Sequence, residues 1–188
     1  MDFLIEGSGI FIYPLGLCSL VAVFIIVERL ISLRPGKVIP RRIEKALYDG
    51  KLPEVEGKSA AGRIVGFYKY ADSRAEPLKA FAQLEITKLD RGMFLLDIVV
   101  SAAPLLGLLG TVAGLVGVFA ADNSLPTPET ISKGVGLALS TTILGLSIAI
   151  PAIIANSFLN RKIDMLSARI NVCVERLLDI SAENANKN

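Results

Sequence analysis

Three stretches of the chain carry no Asp, Glu, Lys or Arg. They are residues 7–27, 98–121 and 134–160, with lengths of 21, 24 and 27 residues. Roughly 20 consecutive apolar residues cross a bilayer core as a helix, so each run predicts a transmembrane helix. Elsewhere the pattern becomes amphipathic. From Pro77 onward, Leu78, Phe81, Ala82, Ile86, Leu89 and Met93 form one apolar stripe at helical spacing. The stripe enters the second span with no breaker, which predicts a helix continuing from the cytoplasm into the membrane. Past the third run, Leu159, Ile163, Leu166, Ile170, Cys173, Leu177 and Ile180 recur at alternating spacings of four and three. That is a heptad-like seam, which packs either on this chain's own connecting helices or on copies of itself.

Shorter signals complete the outline. Val38 to Tyr48 reads as a short helix closed by Asp49-Gly50, and Pro53 and Gly57 punctuate a turn over 51–57. Residues 183–188 read as a frayed tail. The fold expected is an all-α membrane protein with three transmembrane helices, the second and third extended into a cytoplasmic helical bundle. Its segments are a periplasmic N-terminus (1–8), TM1 (9–31), a cytoplasmic helical segment (32–93), TM2 (94–121), a periplasmic loop (122–133), TM3 (134–160) and a cytoplasmic extension and tail (161–188).

Charge orients these segments. Residues 32–93 hold 13 basic and 8 acidic residues, whereas the short second connection holds Asp122 and Glu129 against Lys133. Arg161 and Lys162 follow the third run directly. Lys and Arg concentrate on the cytoplasmic side, so the N-terminus and short loop are expected outside, and the long connection and C-terminus inside. Asp2 and Glu6 precede the first run, and Glu28-Arg29 follows it. A signal peptide has the opposite flanks, so the first run is expected to be an uncleaved span.

Composition narrows the chemistry. Of the 188 residues, 52% are hydrophobic and 20% charged, and none is His. Imidazole triads, His-metal sites and His proton relays are therefore excluded. Cys18 and Cys173 lie 155 positions apart, one inside a span, and read as small neutral residues rather than a redox pair. No P-loop occurs, and a net charge of +2 gives no footprint for nucleic acid. No enzyme activity, cofactor or metal is expected.

Small residues mark the helix faces. The second span carries Gly107, Gly110, Gly114 and Gly117, and the third carries Gly134, Ala138, Thr142, Gly145, Ala149 and Ala152 on one face. Such faces let helix backbones approach closely in lipid. The first span lacks such a face, with one Gly (Gly16) in the centre of a Phe-, Ile-, Leu- and Val-rich run, so it is expected to face lipid while spans two and three pack inside an assembly. Thr111 lies ten residues before Ala121, and Thr142 lies eight after Gly134. At 1.5 Å per residue these depths are about 15 and 12 Å from one side, so antiparallel helices place both hydroxyls near one level. Each hydroxyl either bonds a carbonyl of its own helix or contributes to a polar ring lining a pore. Pro14, Pro104 and Pro151 put one proline in each span, where each can kink its helix and free a carbonyl.

These residues carry a family resemblance. Ala103-Pro-Leu-Leu-Gly-Leu-Leu-Gly-Thr-Val-Ala-Gly114 resembles the second-span signature of the MotA/TolQ/ExbB proton-channel family. Gly134-Val-Gly-Leu-Ala-Leu-Ser-Thr-Thr-Ile-Leu-Gly-Leu146, with Ala149-Ile-Pro-Ala152 and Asn156, resembles its third-span signature. Tyr13-Pro-Leu15 and Val27-Glu-Arg-Leu30 resemble its first span, and three spans are more similar to the ExbB/TolQ branch than to four-span MotA. The resemblance implies a homopentamer in the bacterial inner membrane, with helices two and three around a central pore. A dimer of a single-span ExbD/TolR-like partner would sit in that pore and carry the protonatable Asp. Work would pass to a TonB- or TolA-like transducer. Thr111 and Thr142 match the family's pore-facing threonines, and Gly107, Gly114, Ala138 and Gly145 join them as expected pore-lining positions.

The residues support that division of labour. No ionisable group lies in the middle of any span, and intramembrane ionisable groups usually mark proton paths, so the carrier is expected on a partner. Asp97, near the inner end of span two, is the nearest carboxylate and a candidate proton exit, or an ordinary interfacial carboxylate. One departure stands out. Where the ExbB/TolQ pattern has a Glu five residues before the third-span Thr, this chain has Leu137. Two other functions compete with the proton-driven motor: a helix-packing scaffold without conduction, and a self-sufficient small-solute channel.

Overall fold

The computed structural model describes residues 9–53, 58–70, 74–120 and 127–185. The expected N-terminal segment 1–8, residues 54–57 of the expected turn, residues 122–126 of the short loop and the last three residues of the tail lie outside the described residues. Among the described residues the chain is all helical. Three helical stretches are long and apolar enough to cross a membrane: Ile12–Ser32, Ala75–Phe119 and Pro128–Glu183. The chain divides into two compact units, one comprising Met1–Val27 and Gly92–Ser157, the other Glu28–Arg91 and Phe158–Asn188.

The first unit is the apolar one. A 3-10 turn, Gly9–Phe11, leads into α1 (Ile12–Ser32) and touches the second span. Within this unit α1 buries only a narrow stripe, Leu15, Ala22 and Ile25, while Tyr13, Leu17, Leu20, Val23 and Phe24 stay exposed. A helix exposing bulky apolar residues on most of its circumference is suited to lipid. The second span is α6 (Met93–Ala120) and the third belongs to α7 (Pro128–Ala185), 58 residues long, or about 87 Å at the α-helical rise. α7 starts six residues before the charge-free run. Thr127 Oγ1 accepts a hydrogen bond from the Thr130 amide at 3.3 Å, and Pro128 takes the first helical position, where a missing N–H is harmless.

The second unit follows the rules of a soluble helical domain. α3 (Arg41–Tyr48) occupies most of the stretch expected to be helical, but Val38 instead ends a separate short helix, α2 (Pro35–Val38), with Ile39 and Pro40 extended between the two. α3 ends as its Asp49-Gly50 pair predicts. Gly50 adopts φ 68°, Gly50 N–H reaches Leu47 O at 3.3 Å and Lys51 N–H reaches Ala46 O at 2.9 Å, the double bond of a Schellman cap. Ser59 caps α4 (Ala60–Tyr70) by accepting from the Gly62 amide at 3.0 Å. α4 packs on α5 (Ala75–Thr87), with Phe67 and Phe81 stacked at 4.5 Å.

The helix entering the second span differs from the expectation. It is not continuous: a 3-10 turn at Lys88–Asp90 and Gly92 at φ 86° separate α5 from α6. The stripe stays buried on both sides, at Leu78, Ala82, Ile86, Leu89 and Met93, so periodicity alone hid the break. The Arg29 guanidinium, itself buried, donates to the Leu89 carbonyl in that turn at 3.3 Å.

Every seam position from Leu159 to Ile180 is buried within the single chain, at 9% exposure or less. Of the two expected occupants, this chain's own helices hold the seam. α3 is tied to α7 by Arg169 on Glu44 at 2.9 Å, and α5 to α7 by Lys79 on Glu175 at 3.0 Å. Cys173 lies on this seam. Burial, with the Glu44 charge adding to it, pushes its thiol up to about 11, so it is protonated near neutral pH.

Among the described residues Glu85 is the buried carboxylate of the unit, fully enclosed. Arg63 Nε donates to it at 2.8 Å and Lys88 Nζ at 2.6 Å. Burial alone would raise its pKa, but these two hydrogen bonds and their charges outweigh it, and the carboxyl lies below its ordinary value of 4.5. A carboxyl depressed on folding contributes stability that is complete above its unfolded pKa and lost as pH falls through the folded one.

Two predictions follow for the detergent-solubilised protein. Ile170→Ala should destabilise the second unit by about 2–5 kcal/mol, read as earlier thermal exposure of the Cys173 thiol to a maleimide. The unfolding midpoint of the parent should fall as pH drops below about 4.5, and Glu85→Gln should flatten that dependence.

Candidate functional site in the second and third spans

α6 and α7 meet on their small residues. A Cβ added to Gly145 would stand 2.5 Å from the Ala103 carbonyl oxygen, and one on Gly107 would stand 2.9 Å from the Thr141 carbonyl oxygen. Both distances are shorter than real Cβ atoms tolerate, so only glycine permits this approach. Lipid tails are as apolar as leucine, and close packing is what joins two helices in a membrane. At Gly114, a Cβ would be 3.1 Å from that of Ala138. Gly117, by contrast, faces open space within the chain.

The close approach brings side chains of one helix onto the backbone of the other. The Gly107 carbonyl receives Thr142 Oγ1 at 3.1 Å and Thr141 Oγ1 at 3.2 Å. Thr111 Oγ1 lies 3.2 Å from Thr142 Oγ1, so the level match from residue counting is met. Thr111 also bonds its own helix, 2.6 Å from Leu108 O and 3.3 Å from Gly107 O, as the first of the two alternatives for its hydroxyl has it. Each hydroxyl has one proton. With Thr111 donating to Leu108 O and Thr141 to Ala138 O at 2.7 Å, Thr142 is left to donate to Gly107 O or to Thr111. Thr111 and Thr142 thus keep acceptor lone pairs at a half-buried position, while Thr141 is buried.

Of the positions expected to line a pore, Thr111, Thr142 and Gly114 are half-buried, whereas Gly107, Ala138 and Gly145 lie inside the α6–α7 contact. Leu137 belongs to α7, with a side chain outside the described residues. Asp97 is exposed on α6, and its Oδ1 accepts from Asn156 Nδ2 of α7 at 2.7 Å. Fourteen residues separate Asp97 from Thr111, and fourteen separate Thr142 from Asn156. Two heptads return to nearly the same face, about 21 Å along each helix. The two helices are therefore crossed by two polar rungs, one of hydroxyls and one of carboxylate and amide. Between them Ala103, Ala149 and Ala152 are fully buried, and Pro104 leaves the Val100 carbonyl without its helical partner.

Sequence reasoning missed Thr141 and the pairing of Asn156. Thr141 neighbours Thr142, and one residue step rotates a side chain by about 100°, so only the helix rotation separates buried from half-buried. Among the described residues no group of three or more potential metal ligands converges.

Three apolar helices, the second and third joined by a hydroxyl rung and a carboxylate–amide rung, with no charge in the middle of any span, define a multi-pass membrane protein. The sequence profile of the MotA/TolQ/ExbB proton channel family matches residues 69–172, which contain both rungs. The chain is 30% identical over 185 residues to biopolymer transport protein exbB1 of Vibrio cholerae serotype O1, covering 88% of this chain and 81% of that protein. It is 37% identical over 110 residues to biopolymer transport protein ExbB of Helicobacter pylori, covering 56% and 72% of the two chains. It is 38% identical over 104 residues to ExbB of Aquifex aeolicus, covering 53% and 70%. The chain belongs to the MotA/TolQ/ExbB proton channel family, whose members are transport channel subunits and not enzymes.

The glycine contact makes a paired prediction for thermal unfolding in detergent. Gly145→Ala should destabilise by about 1–3 kcal/mol through overpacking. Gly117→Ala should be neutral or stabilise by up to about 1 kcal/mol through helix propensity.

Proposed function

We propose that this protein is the ExbB/TolQ-like subunit of a proton-driven motor of the bacterial inner membrane. Five copies surround a dimer of a single-span ExbD/TolR-like partner, and the assembly passes work to a TonB- or TolA-like transducer for envelope transport or mechanical work. The N-terminus lies in the periplasm and the long connection in the cytoplasm, as the distribution of Lys and Arg favours. Family membership implies a complex of the ExbD/TonB type.

The observation that carries this reading is the hydroxyl rung. Thr111 and Thr142, 3.2 Å apart, can accept and hand on a proton but do not titrate near neutrality. A path through them needs a carboxylate supplied by another chain. Asp97, held by Asn156, is the proposed inward exit, because it is the carboxylate of this pair of spans at the cytoplasmic end. A scaffold reading is less favoured: Gly107 and Gly145 already occupy each other within one chain, and are not available to gather neighbours.

The test is the Thr111→Val/Thr142→Val double variant, co-reconstituted with its single-span partner in vesicles carrying a pH-sensitive dye. Partner-dependent proton uptake should fall clearly below that of the parent, while native mass spectrometry still reports a pentamer. Wild-type uptake in the double variant would refute the pore role of the threonines. A monomer or dimer for the parent would refute the assembly.

A further inference from the structure

We infer that the elbow leaving the first span, Arg34–Lys45, is a docking surface for the anionic phospholipid headgroups of the leaflet that the span exits. The inference stands apart from the proton path and rests on how polarity is arranged around the end of α1. In its last turn Leu30 and Ile31 are exposed, at 39% and 46%, while Leu33 just beyond is buried. Two residues past the end of α1 the exposed surface becomes basic.

The elbow is strongly two-sided. Val38, Ile39, Ile43 and Leu47 are buried in the second unit, and Arg34, Lys37, Arg41 and Lys45 are exposed. Its one acid, Glu44, is turned away: Arg169 Nη2 lies 2.9 Å from both of its carboxylate oxygens. Among the described residues no ion pair joins Arg34, Lys37, Arg41 or Lys45 to an acid. The apolar side therefore fixes the elbow in place and the basic side has its charge available.

Reach and chemistry select the partner. An extended chain advances at most about 3.5 Å per residue, and a helix 1.5 Å. Arg34 is thus within about 7 Å of Ser32 and Lys37 within about 12 Å. The headgroup region adds several ångströms beyond each side of the hydrocarbon core, and long basic side chains extend further, so Arg34 and Lys37 are tethered within it. A partner for this surface must present hydrocarbon to Leu30 and Ile31 and negative charge three to six residues beyond Ile31, at Arg34 and Lys37. A phospholipid does both, whereas a nucleic acid or a free phosphate offers only the charge. Each Lys or Arg near an anionic leaflet contributes about fivefold in headgroup association.

The full-length protein is reconstituted in phosphatidylcholine bilayers containing trace spin-labelled phosphatidylglycerol or spin-labelled phosphatidylcholine, and the motionally restricted fraction of each is measured. The parent should restrict phosphatidylglycerol several-fold more than phosphatidylcholine, and salt should weaken that preference. Arg34→Gln/Lys37→Gln/Arg41→Gln/Lys45→Gln should bring the two lipids to parity, and Arg34→Lys/Arg41→Lys should retain the preference. A control, Lys51→Gln/Lys58→Gln/Lys69→Gln, changes exposed positives elsewhere in the same connection and should leave the preference intact. An unchanged preference in the elbow variant overturns the proposal, as does an equal loss in the control. Displacement of the labelled lipid by millimolar glycerol phosphate would also overturn it, marking a free-phosphate site instead.

Discussion

Gly145 comes so near the second span that a single added carbon would stand 2.5 Å from the Ala103 carbonyl oxygen, and the polar architecture of the membrane unit depends on that distance. At a wider spacing the Thr141 and Thr142 hydroxyls would not reach the Gly107 carbonyl, and Thr111 would not meet Thr142. Thr142 would then bond only its own helix, as Thr111 and Thr141 already do, and the hydroxyl rung between the spans would be lost. The glycines therefore act through what they allow: a backbone carbonyl of one helix becomes an acceptor for hydroxyls of the other.

Two solvents set two kinds of cohesion along one chain. In the membrane unit there is no hydrophobic gain in bringing helices together, so small residues and cross-helix hydrogen bonds hold the spans, and bulky apolar side chains face outward. In the other unit the order is reversed. Leu159 to Ile180 turn inward as a continuous seam, and the enclosed carboxylate of Glu85 is held by Arg63 and Lys88. α7 crosses from one regime to the other without a break in its helix, because backbone hydrogen bonding is indifferent to which face is apolar.

The same contrast explains the placing of charge. Charged groups are absent from the middle of the spans, where ionisation is costly, and gather where the chain leaves them. At these margins several have a partner or a face: Arg29 on the Leu89 carbonyl, Asp97 with Asn156, Glu44 with Arg169, and the exposed basic side of the elbow. Gly92, with its positive φ, also lies at a margin, in a conformation glycine adopts without strain.

The sequence alone determined what depends on one residue's solvent preference or on spacing along one helix. Charge-free runs located three spans, a three-four spacing located the α7 seam, Asp49-Gly50 ended α3, and the small faces and the level of the two threonines came from counting. Tertiary structure decided what depends on a second element. It chose this chain's own helices as occupants of the seam, buried Thr141 while leaving Thr142 half-open, and paired Asp97 with Asn156 across 59 residues. It also broke the helix at Lys88–Gly92, where an unbroken apolar stripe had given no sign. Periodicity reports which face of a helix avoids water. It carries no information about what meets that face, or about a turn that leaves the face buried.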